Sequence, residues 1–594
     1  MAIIVNFAGA SLLVPGAYSD VTPASSGLAS PALGVIALIG ESEEGPAFSQ
    51  ESGISAVTYG PEEFSAIQDK FGAGEIVDAA KLAISPSNDP AIQGGAQELI
   101  IIKTNSSTSA TATLPSGYGT LKAKKAGSKG NSISAEISIV SSKAIIKLSN
   151  LLTGVTEVSE ELGGTTVMSI QCTDADATSC TVSIDASSFK TTANAASIAA
   201  DLNVDIKNFS SVKQLVDYIN AMPGYTASVA SAKLGSSPIS VLDQVSAVDC
   251  KVVAVIKKDA FEVADFFSKS SMLKLEGAAK SGLPTTMAKK FLTGGAKGAT
   301  NNAAIQDALD ALLKRRVNFI VTLFSQDASK DVAAGTTDAA SSYDIDTILA
   351  ATRSHVNQAS SVRGRKERQA FCGFLGTFEE TAEASANLSS ARVQLHFVNV
   401  DVFSSTAGSN VLKQPHMGAV LAAGMKAAAP VGEPNTFKQP AIFGYSHPEF
   451  DAEVHAEKAI KDNLCFPERS PNGGFRFVLD NSTYSQEANA WIYNRPSVLY
   501  AADTAAYAIR LNSEAFVGRR NSDVSVESVK NLLVEVFDSL RSSGIIVGDA
   551  PSKGKGYKDL SVSIKGSIVY ISVTLILVEG LEFILSDIKV QRAA

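Results

Sequence analysis

Histidine and acidic side chains are densest in one short segment in the second half of the chain. Its members are His447, Glu449, Asp451, Glu453, His455 and Glu457. A strand would place all six on one face, whereas a helix would bring Asp451 and His455 one turn apart. Neither arrangement matches H-E-x-x-H or another zinc-binding spacing. We therefore interpret the segment as a solvated acidic surface and assign no metal ligands.

Two glycine-rich segments contain lysine and raise the question of phosphate binding. Residues 294–298 (Gly-Gly-Ala-Lys-Gly) precede a predicted helix, and residues 548–556 hold Lys553 and Lys555. Helix starts bind phosphate through backbone N–H groups, but the Walker spacing is absent. We interpret the first segment as a tight turn and the second as a mobile loop.

A basic run follows the middle of the chain, with one acid inside it. It consists of Arg363, Arg365, Lys366, Glu367 and Arg368. Such a run is typical of a solvated face, and it also suits contact with an acidic partner.

Residues for covalent or acid–base catalysis are scarce. There is no G-x-S-x-G motif, and the first arginine and first histidine are Arg315 and His355, so the first half lacks the commonest general acid–base. The five cysteines form no C-x-x-C pair; Cys172 and Cys180 could pair, but reduced thiols are the better prediction. We expect no enzymatic activity, no catalytic residues and no cofactor.

Composition indicates a large globular protein. The 594 residues exceed what one core holds, so several domains are expected. The chain is 45% hydrophobic and 19% charged, and its net charge of −9 argues against nucleic-acid binding. No signal peptide is recognised at Met1–Phe7, and the apolar run Ile568–Val578 is about half the ~20 residues of a membrane span. We expect synthesis in the cytoplasm and no membrane insertion.

Hydrophobic periodicity predicts an α/β core. A strand at Gly34–Gly40, helices at Glu62–Phe71 and Ile76–Ile84, and a strand at Leu99–Lys103 suggest one layered unit. The same pattern resumes further on. Helices are predicted at Ala304–Arg316, Ile345–Val356, Gly418–Ala428, Val498–Phe516 and Val524–Leu540, and strands at Val317–Phe324, Ala370–Gly376, Val393–Val400 and Phe475–Asp480.

Both ends of the chain favour extended structure. Ile3–Phe7 suits a short strand within an arm that is otherwise extended, and Leu560–Val590 alternates apolar and polar residues, resuming after Glu579-Gly580 at Leu581, Phe583 and Leu585. A terminal strand pair needs a sheet to join. If the partner edge belongs to another copy, the protein is a polymer subunit.

Short motifs in a fixed order resemble the tail sheath proteins of contractile bacteriophages and of phage-derived contractile injection systems. The motifs span about two-thirds of the chain and are Val14–Tyr18, Gly34–Gly40 with Gly45-Pro46, Phe64, Phe71–Gly74 with Ala79–Ala83, Gly127–Asn131, Leu292–Gly298, Ala419–Gly424 with Pro434–Lys438, Tyr493–Pro496 and the β-patterned tail. Ala17 departs from the family's bulky residue after Gly16, and the acidic–histidine segment has no family counterpart.

The resemblance implies an α/β (α+β) multidomain fold with a sheath core of mixed sheets and helices. The expected divisions are an N-terminal arm at 1–30, the sheath α/β domain at 31–107 and 283–365, an inserted mostly-β outer domain at 108–282, a C-terminal core at 366–565 and a C-terminal β arm at 566–594.

It further implies a structural subunit that stacks as hexameric rings around an inner tube and contracts to drive the tube through a cell envelope. Expected partners are copies of itself, the tail tube protein, and the baseplate and tail terminator proteins. The expected location is the virion, after assembly in the bacterial cytoplasm. Residues expected to exchange strands between subunits are Ile3, Ile4, Val5, Val569, Ile571, Val573 and Leu575, and the expected tube contacts are Lys530 and Arg541. Hinges are expected at Ser26-Gly27 and Ser542-Ser543-Gly544.

Two other classes stay open at this point. The Ser/Thr/Ala-rich insertion would suit a secreted adhesin or surface-layer protein, or the lid of an α/β enzyme. Export signals and nucleophile motifs, which those classes need, are not recognised in the sequence.

Overall fold

The computed structural model describes residues 5–7, 10–12, 33–48, 57–405, 407–485, 491–520, 524–549, 551–582 and 585–586. Near the N-terminus, β1 (Val5–Phe7) and β2 (Ala10–Leu12) pair antiparallel, with Val5 opposite Leu12. The sequence predicted the first strand and treated the second as extended arm. Residues 13–32 lie outside the described part.

Strands and helices alternate in the first part of the core. The elements are β3 (Val35–Gly40), β4 (Val57–Tyr59), α1 (Phe64–Phe71), α2 (Glu75–Ile84) and β5 (Glu98–Lys103). Each predicted element of this part is present within one or two residues, while the short edge strand β4 was not predicted.

An insertion of mostly β structure separates β5 from the rest of the core. Its elements are β6 (Thr111–Thr113), β7 (Thr120–Ala123), β8 (Ile133–Val140), β9 (Lys143–Asn150), β10 (Thr156–Val158), β11 (Thr166–Cys172), β12 (Ser179–Ile184), β13 (Ser188–Asn194), β14 (Asn203–Asp205), α3 (Val212–Asn220), β15 (Tyr225–Val229), α4 (Ala232–Gly235), β16 (Val245–Asp249), β17 (Ala254–Lys257), α5 (Asp259–Lys269), β18 (Leu273–Glu276) and β19 (Met287–Phe291). These strands form four antiparallel sheets around two separate hydrophobic cores.

The core then resumes and runs to the end of the chain. Its elements are α6 (Asn302–Leu312), β20 (Phe319–Thr322), α7 (Ala328–Ala333), α8 (Ile345–Ala359), β21 (Gln369–Gly373), α9 (Phe378–Leu388), β22 (Val393–His396), β23 (Asn399–Ser404), β24 (Ser409–Lys413), α10 (His416–Ala428), β25 (Gly444–Ser446), α11 (Ala452–Lys461), β26 (Pro467–Arg469), β27 (Phe475–Phe477), α12 (Trp491–Asn494), α13 (Pro496–Ser513), α14 (Val526–Ser542), β28 (Tyr557–Lys565) and β29 (Ile568–Leu575).

A six-stranded sheet organises the core, in the order β22-β21-β20-β3-β5-β4. All its pairings are parallel except that of β4 with β5. Because side chains alternate along a strand, Val35, Ala37 and Ile39 enter one apolar cluster and Ile36 and Leu38 the other. Helices cover both faces, which explains why these strands are apolar throughout. The predicted mixed α/β core is confirmed.

The insertion joins the core through a narrow neck. Its outgoing and returning strands are held together by backbone hydrogen bonds between Thr108 and Ala296 and between Thr111 and Thr293, at 2.8–3.3 Å. Asn131 reinforces the neck by bonding the backbone of Gly295 in both directions, at 2.8 and 2.9 Å.

Continuous sheets cross two of the expected domain divisions. The central sheet pairs β20 with β21, on either side of residue 365, and β19 pairs with β8 although it follows residue 282. We keep the division of the chain into arms, core and insertion as a proposal, with β19 assigned to the insertion's sheet.

Three predicted strands differ in detail from those observed. Val393–Val400 is divided into β22 and β23, because the chain leaves the central sheet there and enters the sheet β24-β23-β25. The strand at Phe475 ends at Phe477, and past Leu575 the described residues form only an isolated bridge between Ile546 and Leu577. The prediction that strand structure resumes at Leu581 and Leu585 is therefore wrong, while Phe583 lies outside the described residues. In the described ranges, no helix is both long enough and apolar enough to cross a membrane.

Candidate assembly surface at the C-terminal hairpin

The strand pattern of the tail folds into a long hairpin. β28 and β29 pair antiparallel, with Lys565 opposite Ile568 beside the turn and Tyr557 opposite Leu575 at the other end. Gly566 in the turn has φ +59°, a conformation that suits glycine. Within the described residues this sheet holds two strands, and no third strand covers either of its outer edges.

One face of the hairpin packs on its own subunit. Ile564, Ile571, Val573 and Leu575 join the apolar cluster formed by α13 and α14, and the rings of Tyr557 and Phe537 lie 4.6 Å apart. The polar residues that alternate with them point away from the body. The hairpin is thus anchored by side chains on one face, and within the described residues its outer edges carry no third strand.

Beside the hairpin turn lies an apolar cleft of about 760 Å³. It is lined on one side by Phe516, Val517 and Val524, which follow α13 or precede α14, and on the other by Ile564, Val569 and Ile571 of the hairpin. Val517 is 80% exposed and Val569 is 37% exposed. An uncovered strand edge beside an apolar cleft has the geometry to accept an extended segment, because the edge offers backbone hydrogen bonds and the cleft binds alternate side chains.

The chain beyond the hairpin returns to the body. Backbone hydrogen bonds join Val547 to Ile576 (2.9 Å) and Val578 to Ile545 (3.1 Å). Arg495 then holds Glu582 in a bidentate ion pair, with one Nη2–Oε2 distance of 2.9 Å. These contacts fix the chain where it leaves the hairpin, and they explain why the alternating sequence past Leu575 does not continue as a strand.

Helix α14 lies under the hairpin and presents its other face to solvent. Ser525 caps its start by accepting a hydrogen bond from the backbone N–H of Ser528. The buried face comprises Val529, Leu533, Val536, Phe537 and Leu540. The opposite face mixes charges, because Glu527, Glu535 and Asp538 are exposed next to Lys530 and Arg541.

Comparison with known proteins gives a consistent result, although no protein-family model matches the chain. A tail sheath protein of Bacillus phage SP01 is 25% identical over 608 aligned positions, which cover 98% of this chain and 96% of that protein. The crystal structure of a sheath tail protein from Desulfitobacterium hafniense superposes with a TM-score of 0.52 at 14% identity, covering 95% of this chain and all of that one. The resemblance to the tail sheath proteins is confirmed. With it, the expected role of a structural subunit of a contractile tail sheath is confirmed as well.

The residues expected to exchange strands occupy different places in this sheath fold. Ile571, Val573 and Leu575 contact the subunit's own α14 cluster, and Val569 lines the cleft together with Ile571. Ile3 and Ile4 lie outside the described residues, and Val5 belongs to β1. Alternation in the sequence predicts the strands of the hairpin. The cleft residues Phe516 and Val517 could not be identified from the sequence, because they line a cleft only once the hairpin packs beside the end of α13.

The residues expected to contact the tube both have partners within α14. Lys530 Nζ lies 3.8 Å from Glu527, and Arg541 pairs with Asp538 at 3.0 Å. Arg541 also donates a hydrogen bond to the carbonyl of Gly554 at 3.1 Å. Arg541 therefore stabilises the loop after α14. Lys530, whose ion pair is longer, is the more available of the two cations for contact with a partner protein.

The acidic–histidine segment has structural roles in the core. His447 donates to the carbonyl of Gly376 (3.1 Å), Glu449 accepts from the backbone N–H of Phe378 (2.9 Å), and Asp451 caps α11. His455 accepts from the backbone N–H of Asp451 at 3.0 Å. Among the described residues, no three histidine, cysteine or acidic side chains are grouped so as to hold a metal ion. The interpretation as a wholly solvated surface is wrong for His447, which is buried.

The two glycine-rich segments are both turns stabilised by close contacts. Residues 294–298 form the returning side of the neck, where a Cβ on Gly298 would lie 2.0 Å from the carbonyl oxygen of Ser106. In the 548–556 loop, Ser552 hydrogen-bonds Asp549 and thereby lowers the pKa of that carboxyl. In both segments, glycine allows the backbone to approach neighbouring backbone atoms more closely than a residue with a Cβ could.

The basic run is divided between the surface and the interior. Arg363 and Arg365 are exposed, as predicted, but Arg368 is 1% exposed. Its guanidinium donates to the carbonyls of Leu312 (3.0 Å) and Arg315 (2.7 Å). The interpretation of the run as a solvated face is wrong at this end, because the carbonyls at the end of α6 need a buried donor.

Proposed function

We propose that sheath subunits polymerise by strand exchange at the C-terminal hairpin and its cleft. An extended segment of a second copy pairs with an edge of the hairpin and inserts alternate side chains into the cleft. The uncovered edge beside the cleft is the observation that carries the proposal. Apolar residues of the N-terminal arm, including Ile3, Ile4 and Val5, are the segment we assign to this place.

Such a contact is heterologous, because an arm of one copy enters a different surface on the next. Heterologous contacts propagate and build rings and helical stacks, in agreement with stacked hexameric rings around an inner tube. Each added backbone hydrogen bond contributes about 1 kcal/mol net, so several per strand hold subunits together. Hinges at Ser26-Gly27 and Ser542-Ser543-Gly544 then let the bodies rotate during contraction.

The tail tube protein is the proposed partner on the inside of the sheath, with α14 as the contacting helix. Baseplate and terminator proteins are the proposed partners at the ends of the stack. The subunit works in the virion after assembly in the bacterial cytoplasm, without catalysis, nucleic-acid binding or membrane insertion.

Electron microscopy of the purified chain at rising concentration tests polymerisation. We expect hollow helical tubes with six-fold cross-sections, and discrete particles under all conditions would contradict the proposal. The sharper test is Val517→Asp, which places a charge in the cleft on a side chain that is 80% exposed. We expect unchanged thermal stability of the subunit and loss of tubes.

The matched control is Val252→Asp, since Val252 is 62% exposed and lies in the insertion, between β16 and β17. It should assemble as the parent does. Equal assembly by both variants would rule out the cleft as the assembly site, and loss of assembly in both would show that added charge alone is responsible.

A further inference from the structure

Three of the five cysteines meet inside the insertion, although they are distant in sequence. Cys180 lies in β12, Cys250 directly follows β16, and Cys172 ends β11. The backbone N–H of Cys250 donates to the carbonyl of Cys180 (2.8 Å), and the N–H of Cys172 donates to the carbonyl of Cys250 (2.7 Å). All three side chains belong to one apolar core.

Cys180 and Cys250 face each other across two paired strands. Thr181 pairs with Asp249, so these cysteines are the next opposed pair, and their sulfur atoms lie 3.2 Å apart in a thiol–thiol hydrogen bond. Opposed residues of antiparallel strands have Cα atoms about 4.5–5.5 Å apart, inside the range that a disulfide spans. The pair needs little movement to form a covalent bond.

We propose that Cys180 and Cys250 are a latent disulfide that closes when the protein meets an oxidising environment. With oxidised glutathione as the oxidant, one cysteine thiolate attacks the glutathione disulfide and releases one glutathione thiol. The second cysteine thiolate attacks the resulting mixed disulfide on the protein sulfur and releases the other. Two protein thiols and one glutathione disulfide thus give one protein disulfide and two glutathione thiols.

Burial controls when this exchange happens. It raises the pKa of both thiols and keeps them from solvent, so the exchange needs local opening of the strand pair. In a reducing cytoplasm the pair stays as thiols. Release of the particle, which rests on the proposed function, would expose it to oxidant, but the chemistry itself is a property of the single chain.

Closure would stabilise the insertion. The bond would link positions 70 residues apart, and the loop between them contains β13, β14, α3, β15, α4 and β16. Restricting so long a loop in the unfolded state is expected to raise the unfolding temperature of the insertion by roughly 5–10 °C.

The test uses the full-length chain incubated in oxidised glutathione, both folded and during refolding, followed by alkylation and a non-reducing peptide map. We expect a peptide linked through Cys180 and Cys250, with the rise in unfolding temperature reversed by dithiothreitol. Cys250→Ala should lose both effects, whereas Cys172→Ala and the core variant Cys372→Ala should keep them.

A link from Cys180 to Cys172 in place of Cys250 would overturn the proposal, as would full alkylation of both cysteines after refolding in oxidant. Because linkage is measured on unassembled chains, it can fail or succeed whatever the outcome of the polymerisation test.

Discussion

At the scale of single residues, the core of this protein depends on buried polar side chains whose partners are distant in sequence. His355 contacts the guanidinium of Arg368 at 3.0 Å, and His396 is buried against Phe477. Burial lowers the pKa of His355 to about 3, with a further contribution from the Arg368 cation. Burial also lowers the pKa of His396 to about 3, although the charge of Asp480 opposes the shift.

These histidines predict acid sensitivity. Below about pH 6.5 the unfolded chain protonates both, whereas the folded chain keeps them neutral down to about pH 3, so the unfolded state binds more protons and stability falls as the pH falls through this window. At pH 4.5 each histidine should cost about 2–3 kcal/mol. Calorimetric unfolding across this range should show a shallower loss in His396→Leu than in the parent chain.

The matched control is Leu395→Ala in β22, the strand that also holds His396, which removes buried apolar contacts but no titratable group. Its loss of stability with falling pH should be as steep as that of the parent, and an unchanged pH dependence in His396→Leu would show that this histidine does not drive the effect. None of these pairings could be predicted, because the sequence shows single histidines and gives no sign of which arginine or phenyl ring lies beside them.

At the scale of elements, α10 shows what sequence patterning captures. The sequence predicted this helix, its small residues favour close packing, and residues His416–Lys426 are all buried between the central sheet and α2. The pattern does not show which glycine is in contact. A Cβ on Gly424 would lie 2.8 Å from the Cβ of Pro86 and 3.0 Å from the carbonyl oxygen of Ala83, whereas one on Gly418 would meet nothing closer than 3.6 Å.

Two substitutions in the same helix should therefore have opposite effects on stability. Gly424→Ala should lower the free energy of unfolding by about 1–2 kcal/mol through overpacking. Gly418→Ala should raise it by about 0.5–1 kcal/mol, because alanine is the better helix former. Chemical denaturation of both variants checks the pair, and a loss of stability in Gly418→Ala as large as that in Gly424→Ala would contradict the contact argument.

The solvent face of α14 carries the prediction on tube binding. Lys530→Glu removes its more available cation and should weaken binding to the tube by roughly fivefold, since a rim charge contributes about 1 kcal/mol, while self-assembly stays intact. Co-sedimentation with purified tube measures both. Lys233→Glu, an exposed position in the insertion, is the control, and unchanged tube binding in Lys530→Glu would exclude this helix face.

At the scale of the whole molecule, the order of elements was predictable and their pairing was not. Runs of apolar residues identified β3, β5 and β20, but nothing local shows that β20 returns beside β3 after an insertion of two hydrophobic cores. The same holds for the hairpin: alternation predicted its strands, whereas the bend back to the body depends on Arg495, almost ninety residues away from Glu582.

Deletion of Met1–Pro23 tests the arms at this scale. In the described part β1 and β2 form a sheet of their own, so the shortened chain should fold as a monomer with the parent's unfolding temperature and fail to form tubes in electron microscopy. Normal tubes would contradict strand exchange through this arm. Truncation after Lys565 is a less selective test, since it removes Ile571 and Val573 from the α14 cluster.

The neck has a consequence for engineering and for evolution. The two chain segments that connect the core to the insertion are hydrogen-bonded neighbours, and on the core side of the neck the Oγ1 atoms of Thr104 and Thr300 lie 3.1 Å apart. The core can therefore accept another domain at this position. Exchanging the insertion for another fold with adjacent termini would decorate the particle at every subunit, in a regular array whose spacing the core alone determines. A chain of this design can therefore change the fold that it carries at the neck while the sheets and helices of the core stay the same.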